Sequence, residues 1–360
     1  MTRDAANRKA PSVPDHGPGR KKKRLWSVTK KVLTGLFFIG VIVLLVIYAR
    51  KVDWDEVAQA IEHYRRNAIL MVVGLVVFSY LLYGIYDLIG RAYCGHKLAK
   101  KQVLLVSFIC YAFTLTLSAW VGGIGMRYRL YSRLGLSNSA ITRIFSLSLA
   151  TNWLGYILLA GIVCAFGVLK LPAKWDIGDV AIRLIGIGLL LFIAAYLWLC
   201  AFSKRRRWTI KGQKLVLPSL RMAGAQLVAS CANWLAMAAI IYILLNDKVD
   251  FPLVLGVLLV SSIAGVIVHI PAGIGVLEAV FVAMLSSEHL SHGTIIAALL
   301  AYRAIYFIAP LLLAIVLYLW LESRAKVLRE KNQRREAAHA AQAPANGAAK
   351  PSADDGRLPD

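Results

Sequence analysis

Charged residues, and acidic residues above all, are scarce in this sequence. Only 17% of the 360 residues are charged, against about 25% in a typical soluble protein. Asp and Glu number 19, whereas Lys and Arg number 42. Apolar residues make up 59% of the chain, and the mean hydropathy is +0.63. This balance excludes a soluble enzyme and a disordered protein, and it predicts an all-α, polytopic helical membrane protein with about six to eight crossings.

Cysteine is also scarce, and common catalytic motifs are missing. The five cysteines are scattered without a CxxC pair, which argues against a disulfide framework and against a zinc site. The sequence has no GxxxxGK(S/T) phosphate loop, no HExxH and no GxSxG. We therefore expect no cofactor, no metal and no catalytic residues.

Long apolar segments fill the chain from residue 32 to residue 321, and polar tails flank them. The tail 1–31 is expected to be disordered and basic, and 322–360 to be charged, then Ala- and Pro-rich, and disordered. The region 32–321 is the expected transmembrane domain. Its apolar segments are 32–49, 68–90, 102–121, 144–168, 180–202, 222–245, 253–269, 274–286 and 294–321.

Basic residues concentrate in the tails and in two loops. Region 1–31 has ten Lys and Arg against two acids, loop 91–101 has four and no acid, and loop 203–221 has seven and no acid. Because cytoplasmic loops carry an excess of Lys and Arg, these loops and both termini are expected in the cytoplasm. The spread over all these regions favours contact with anionic lipid headgroups and argues against a nucleic-acid partner.

The charge pattern makes one apolar segment anomalous. Loops 91–101 and 203–221 can share a side only if an even number of crossings separates them, but three apolar segments lie between them. We expect segment 102–121, which is interrupted by Ser and Thr and ends near Gly122, to re-enter the membrane without crossing it. Irregular backbone at such depth lines cavities and marks binding sites in transporters. A full crossing remains the alternative for 102–121, and for 253–286 a hairpin and a crossing both remain open.

Two short sequences occur twice. Gly123-Ile124-Gly125 is repeated at Gly273–Gly275, and Asn152-Trp153-Leu154 is repeated at Asn233–Leu235. With the orientation above, the first Gly-Ile-Gly segment returns to the cytoplasm and the second leads outward, as in an inverted repeat. Chance recurrence in a Gly- and Leu-rich chain is the alternative.

Glu278 lies in an apolar run that Pro271, Gly273 and Gly275 interrupt. A carboxylate in the membrane interior costs roughly 2.5–3.5 kcal/mol on insertion scales, so it should be paired, protonated or in water. Arg303, in segment 294–321, is its expected partner. The pair either links two helices structurally or forms the polar base of a cavity in which Arg303 binds a phosphate headgroup.

A second candidate cluster follows segment 102–121. Arg127 and Arg129, beside the flexible Gly123 and Gly125, would suit an anionic lipid headgroup. The alternative is an ordinary positive-inside loop. Asp87 lies four residues before Arg91, which predicts an interfacial ion pair within one helix.

These stretches resemble a known family. PAGIGVLEA at Pro271–Ala279, AYRAIYFIAP at Ala301–Pro310 and GGIGMRYRLYSRLGLS at Gly122–Ser137 are similar to signatures of the flippase-like family, also called the lysylphosphatidylglycerol synthase transmembrane region. Ala272 departs from the pattern, since the family usually has a second Gly there. The resemblance covers roughly residues 30–325.

The resemblance implies a lipid-handling protein of a bacterial inner membrane. Bifunctional members of the family join this region to a soluble domain that transfers an aminoacyl group to phosphatidylglycerol; the chain ends too soon after residue 321 to include that domain, so we expect no synthase activity. The leading hypothesis is a flippase-like transporter of anionic or aminoacylated phospholipid. The alternative is a non-transporting, lipid-binding or scaffold subunit that serves a separate lipid synthase or glycosyltransferase.

Overall fold

The protein is built from helices, as its composition predicts. The structure, a computed structural model, describes residues 64–117, 119–168, 178–203, 207–210, 213–268, 273–286 and 290–342, all within one compact unit, Asp53–Asp360. The tail 1–31, the segment 32–49 and the end of the C-terminal tail lie outside these residues. The helices are α1 Arg66–Cys94, α2 Lys100–Thr116, α3 Arg127–Arg133, α4 Asn138–Ala165, α5 Asp179–Phe202, α6 Leu220–Leu244, α7 Phe251–Val268, α8 Val276–Leu285, α9 His292–Tyr302 and α10 Ala309–Gln342.

Three further elements interrupt or join these helices. Two are π-helices: π1, Ala119–Met126, leads into α3, and π2, Arg303–Ile308, joins α9 to α10. The third is a hairpin of two short antiparallel strands, β1 Arg207–Ile210 and β2 Gln213–Val216, between α5 and α6. The hairpin falls within the basic loop 203–221, so the apolar part of the described chain is helical.

Six helical stretches of the described chain are long and apolar enough to cross a membrane. They are α1, α4, α5, α6, α7 and the continuous stretch His292–Arg324 formed by α9, π2 and the start of α10. Large apolar side chains lie exposed on their outer surfaces; on α5 these include Leu184, Leu191 and Trp198. A surface of this kind is stable against lipid and would be unstable in water. The chain is therefore a multi-pass membrane protein.

The segment predicted to re-enter folds back on itself. A Cβ added at Gly122 would lie 2.0 Å from the backbone nitrogen of Thr114, so π1 runs directly against the end of α2. Further along, the guanidinium of Arg127 lies 4.7 Å from the ring centre of Tyr111. The Thr114 and Thr116 hydroxyls donate to the carbonyls of Cys110 and Ala112, a local pattern that bends and weakens a helix end. Elements α2, π1 and α3 thus form a helical hairpin, as expected for 102–121.

A second hairpin occupies the corresponding place in the other half of the chain. Helix α8 packs against α7, and a Cβ at Gly265 would come within 3.9 Å of the Cα of Gly273. Residues 269–272, including Pro271, lie outside the described residues. With ten residues, α8 is too short to cross a membrane alone. The hairpin alternative for 253–286 is the one that the structure favours.

The two halves repeat the same order of elements. A long helix, a hairpin and another long helix occur first as α1, α2–α3 and α4, and then as α6, α7–α8 and α9–α10. The first helices begin at Arg66 and Leu220, and the third at Asn138 and His292, so both pairs are 154 residues apart. Helices α1 and α6 run antiparallel, since Tyr64 bonds Leu244 whereas Ser79 bonds Asn233.

The two repeated tripeptides fit this inverted repeat only in part. Gly123-Ile124-Gly125 lies in the first hairpin and Gly273–Gly275 in the second, which are equivalent places. Asn152 lies in the third element of the first half, however, and Asn233 in the first element of the second. The two copies of Asn-Trp-Leu therefore do not occupy equivalent positions of the repeat. Instead the two copies meet, because Trp234 donates to the Asn152 carbonyl at 3.3 Å.

Candidate functional site

Glu278 and Arg303 form an ion pair, as expected from the sequence. The Nε of Arg303 donates to Oε1 of Glu278 at 2.5 Å, and Nη2 donates to Oε2 at 3.0 Å. Nη2 also donates to the carbonyl of Gly273 at 3.1 Å. The pair is thus bidentate, the geometry that a planar guanidinium forms with carboxylates and with phosphates.

The glycines hold the carboxylate by their backbone. Gly273 and Gly275 have φ of 58° and 82°, values that favour glycine. Gly275 is the N-cap of α8, and its N–H donates to Oε2 of Glu278 at 2.9 Å. A carboxylate in the first turn also complements the positive end of the helix dipole. The break in the helix therefore supplies the contacts that keep a carboxylate at this depth.

Arg303 is positioned by a second break, in the helix that follows α9. Pro310 lacks an N–H, so the carbonyl of Tyr306, four residues earlier, has no helical partner of the usual kind. The hydroxyl of Tyr80 donates to that carbonyl at 3.2 Å. The π-helix Arg303–Ile308 widens the same turn, and π-bulges of this type are frequent at functional sites.

The pair is open on one side. The Arg303 side chain is 5% exposed, whereas that of Glu278 is 20% exposed, and the neighbouring Gly275 and Ala279 are exposed. A fully enclosed ion pair serves mainly to link elements, but this carboxylate can be reached from outside. A ligand phosphate could approach here and compete with Glu278 for the guanidinium.

Asp87 does not pair with Arg91, so that prediction is wrong. Its carboxylate accepts from Arg127 Nη2 at 2.9 Å, from the Tyr131 hydroxyl at 2.8 Å and from the Ser148 hydroxyl at 2.7 Å. Arg91 instead donates to the carbonyl of Leu98. The physical reason is the first hairpin, which brings Arg127 against α1 and offers Asp87 a buried partner.

The structure therefore separates the predicted site residues into two groups. Gly273, Gly275, Glu278 and Arg303 lie together, and Pro271 is outside the described residues. Gly123, Gly125, Arg127 and Arg129 belong to the first hairpin, where Arg127 Nη1 also donates to the carbonyl of Gly123 at 3.4 Å.

Arg127 and Arg129 occupy different environments. The Arg127 side chain is 2% exposed beside the fully buried Asp87. Arg129 bonds the Tyr318 hydroxyl at 2.8 Å and Glu322 at 3.1 Å, on a partly exposed surface. Both arginines already hold protein partners, and their proposed contact with a headgroup stays a prediction.

Sequence reasoning missed a polar cluster at the crossing of α1 and α6. Ser79 donates to Asn233 Oδ1 at 2.6 Å and contacts the Tyr306 hydroxyl at 2.7 Å, and all three residues are buried. A polar residue inside each of two apolar runs was the available signal, but nothing local relates residues so distant in sequence.

Aromatic rings connect the two ion pairs through the interior. Tyr302, next to Arg303, stacks on Tyr306 with ring centres 5.1 Å apart, and Tyr306 lies 5.7 Å from Tyr80. From there the path continues through Tyr83, 6.1 Å from Tyr80, which stacks on Tyr111 at 4.0 Å. Arg127 lies over the ring of Tyr111. A continuous column of packed rings thus joins Arg303 to Arg127.

An apolar groove of about 430 Å³ lies beside this column, between α1, α2 and the start of α10. Val73, Val77 and Leu81 form one stripe of α1 in this groove, and each is about half exposed. The opposite wall includes Ile305, two residues after Arg303. Its volume is in the range of sites for single small ligands, about 300–1,000 Å³, and its apolar lining suits an acyl chain.

Comparison with known proteins identifies the family. The family model described as "Lysylphosphatidylglycerol synthase TM region" matches residues 32–314. The chain belongs to this family. The flippase-like resemblance noted in the sequence is thereby confirmed at the level of the family.

Two relatives are similar over most of their length. The inner membrane protein YbhN of Escherichia coli is 68% identical over 308 residues, which cover 86% of this chain and 97% of that protein. The uncharacterized protein slr0712 of Synechocystis is 27% identical over 261 residues, 72% of this chain and 80% of that protein.

A more distant relative is an enzyme. The phosphatidylglycerol lysyltransferase of Staphylococcus haemolyticus is 24% identical over 309 residues, and these cover 82% of this chain but 34% of that protein. The chain thus matches about a third of the lysyltransferase.

Proposed function

We propose that the protein is a flippase-like transporter that moves an anionic or aminoacylated phospholipid across the bacterial inner membrane, without synthase activity. The observation that carries the proposal is the ion pair between Arg303 and the partly exposed Glu278, held between two broken helices. Membership of a family named for a lysyl-lipid synthase region supports the substrate class.

Arg303 supplies recognition of the headgroup in this proposal. Its guanidinium already engages two carboxylate oxygens in a bidentate fashion, and a phosphodiester offers a similar pair of oxygens. Exchange of Glu278 for the phosphate would then conserve the number of charge-assisted hydrogen bonds. A balanced exchange of this kind allows binding without trapping the lipid.

The apolar groove supplies the path for an acyl chain. It opens toward the lipid-facing surface through Val73, Val77 and Leu81, and Ile305 brings it close to Arg303 along the same helix. The headgroup would therefore move through the polar interior while the acyl chains remain in an apolar environment, which avoids exposure of either part to the wrong medium.

The second candidate function is a lipid-binding or scaffold subunit for a separate lipid synthase or glycosyltransferase. The specific observation in its favour is the size of the lysyltransferase relatives, of which this chain matches 34% in one case. A region that accompanies an enzyme in one chain could present lipid to a separate enzyme here.

Reconstitution into liposomes distinguishes the two functions. Fluorescent phosphatidylglycerol is placed in both leaflets, and an impermeant quencher reports how fast the inner population reaches the outer leaflet. Acceleration over protein-free liposomes is the expected result for a flippase. Bound phosphatidylglycerol without acceleration, in protein shown to be folded, would favour the scaffold function and contradict transport of this lipid.

A further inference from the structure

A second cavity, distant in sequence from the Glu278–Arg303 pair, lies where three helix ends meet. It has a volume of about 300 Å³ and is lined by the last turn of α1, the second turn of α4 and the segment that leads into α6. The end of α1 adjoins the basic loop 91–101 and the start of α6 adjoins the basic loop 203–221, so the cavity lies on the side of the membrane that we assign to the cytoplasm.

Arg143 is the charged residue among those that line this cavity. Its Nε is buried, and within the described part of the chain it makes no hydrogen bond. Other arginines near the hairpins behave differently: Arg127 pairs with Asp87, and Arg303 pairs with Glu278. A buried, unpaired guanidinium nitrogen is costly, so its retention in a cavity points to an acceptor that arrives from outside the chain.

The surrounding sequence offers no carboxylate to fill that role. Residues 88–168 contain no Asp or Glu, and neither do residues 203–246. The acidic residue just before this stretch, Asp87, already accepts three hydrogen bonds from Arg127, Tyr131 and Ser148. The local field at the cavity is therefore positive, with Arg91 and Arg221 nearby in sequence to Ala92 and Met222.

The start of α6 adds donors to the same wall. Ser219 lines the cavity and caps this 25-residue helix by accepting from the N–H of Met222 at 3.3 Å. Other N–H groups of a first turn lack intrahelical acceptors, and they place a partial positive charge at the helix end. Oriented amides together with a guanidinium form the donor set that binds a phosphate group.

We propose that this cavity binds the phosphate group of an anionic ligand at the cytoplasmic face. The apolar wall formed by Leu217 and Met222, together with the interfacial position of Tyr93, suits the glycerol region of a phospholipid. A free phosphate compound would engage the same donors. The site is separate from the transport site and does not depend on the transport activity.

Binding measurements on the full-length protein in detergent test the proposal. Native mass spectrometry with phosphatidylglycerol and with phosphatidylcholine measures lipid retention, and inorganic phosphate is added as a soluble competitor. The Arg143→Gln variant is expected to bind one phosphatidylglycerol molecule roughly tenfold more weakly, since charge-assisted hydrogen bonds are lost, whereas lipid bound at the Glu278–Arg303 site should be retained. Arg324→Gln, which removes an exposed arginine from the end of the last membrane-spanning stretch, is the matched control and should bind as wild type does.

The outcomes separate the two sources of phosphate. Loss of phosphatidylglycerol on Arg143→Gln, without competition by millimolar phosphate, identifies a lipid headgroup; equal competition identifies a soluble phosphate. If Arg143→Gln folds poorly, Met222→Trp fills the cavity from the opposite wall and should produce the same loss. Wild-type binding by both variants, or an equal loss in Arg324→Gln, would overturn the proposal.

Discussion

Two arginine–carboxylate pairs lie inside the part of the protein that the structure describes, and their surroundings imply different roles. Asp87 is fully buried and receives bonds from three side chains, so its charge is compensated entirely within the protein. Glu278 is 20% exposed and receives bonds from Arg303 and from the backbone of Gly275. We infer that the first pair stabilises the fold, whereas the second is accessible to a ligand.

Removal of the Asp87 charge should therefore destabilise the protein. Asp87→Asn leaves Arg127 buried without an anion, and breaking a buried pair in this way costs about 3–5 kcal/mol. We expect a large loss of thermal stability in detergent, measured by the temperature at which the protein loses its monodisperse gel-filtration peak.

Glu322→Gln is the comparison for that experiment. Glu322 also pairs with arginines, Arg129 and Arg133, but at a partly exposed position. Exposed ion pairs contribute about 0–1 kcal/mol, so this variant should remain close to wild type. Similar stabilities for the two variants would show that the Asp87 pair is not the structural one.

His96, in the loop between α1 and α2, makes stability depend on pH. Burial, with a smaller effect of the nearby Arg91 charge, lowers the pKa of this imidazole from 6.5 to about 4. The unfolded chain therefore binds a proton below pH 6.5 that the folded protein does not bind until about pH 4. Stability should fall as the pH is lowered through this window.

Thermal unfolding of wild type and His96→Gln between pH 7 and pH 4 measures this contribution. Both ring nitrogens of His96 are buried without a hydrogen-bond partner in the described residues, so removal of the titrating ring leaves no lost bond to confuse the result. We expect a shallower loss of stability toward acid in the variant. Identical pH dependence in the two proteins would contradict the assignment.

The two carboxylates also show what the sequence can reveal at this scale. Glu278 and Arg303 could be paired from sequence because each is a charge inside an apolar run, where an unpaired charge is costly. The partner of Asp87 could not, because Arg91 offered a local alternative four residues away. Only the fold of the hairpin brings Arg127, forty residues later, to the same place.

At the scale of elements, the two hairpins distinguish this protein from a simple bundle of crossing helices. The first was predictable from charge parity between the loops, because an unbroken helix at 102–121 would place two basic loops on opposite sides. The second hairpin could not be predicted in this way, since its flanking loops carry too little charge to fix the side of the membrane on which they lie. The sequence also did not predict the exact helix ends. An example is the end of α2 at Thr116, whose hydroxyl bonds the backbone and so favours termination of the helix there.

Gly122 is the point at which the first hairpin depends on the absence of a side chain. A methyl group there would overlap the backbone at Phe113 and Thr114, which cannot move as a flexible side chain could. Overpacking of this kind typically costs about 1–3 kcal/mol or more. Gly122→Ala should lower the thermal stability of the purified protein markedly.

Gly74→Ala provides the control, because a Cβ at Gly74 in α1 would meet nothing within 4 Å. Replacement of a helical glycine by alanine at such a site is expected to be neutral or stabilising by up to about 1 kcal/mol. Equal behaviour of the two variants would argue against the close approach of π1 to α2.

At the scale of the whole molecule, the inverted repeat places one hairpin in each half. Ser137 and Ser291 are equivalent positions in the repeat, and each caps the third helix of its half by accepting from an N–H three residues ahead. If the halves are inverted across the membrane, these serines lie on opposite sides.

Cysteine accessibility checks this orientation. In a background without the native cysteines, Ser137→Cys should react with an impermeant maleimide only after the membrane is opened, and Ser291→Cys in intact spheroplasts. The basic loops predict this direction. Labelling of both positions from one side would contradict the inverted arrangement.

The ring column between Arg303 and Arg127 gives the halves a physical connection. Packed rings can pass a displacement from one ion pair to the other only if their packing has two stable arrangements. Close-packed protein interiors switch between discrete arrangements and do not deform continuously. The π-helices and glycine breaks at both ends are the places where such a change could be absorbed. In the transport function proposed above, the two hairpins would then move in opposite senses.

The measurement that tests the central claim most directly is lipid movement by Glu278→Gln in the leaflet-resolved liposome assay. The variant keeps the size of the side chain and one oxygen for Arg303 but removes the exposed charge. Glu322→Gln, reconstituted at equal density, controls for the loss of one carboxylate elsewhere. The account predicts rapid equilibration of phosphatidylglycerol by wild type and Glu322→Gln, and a rate near that of empty liposomes for folded Glu278→Gln; a wild-type rate in Glu278→Gln would contradict it.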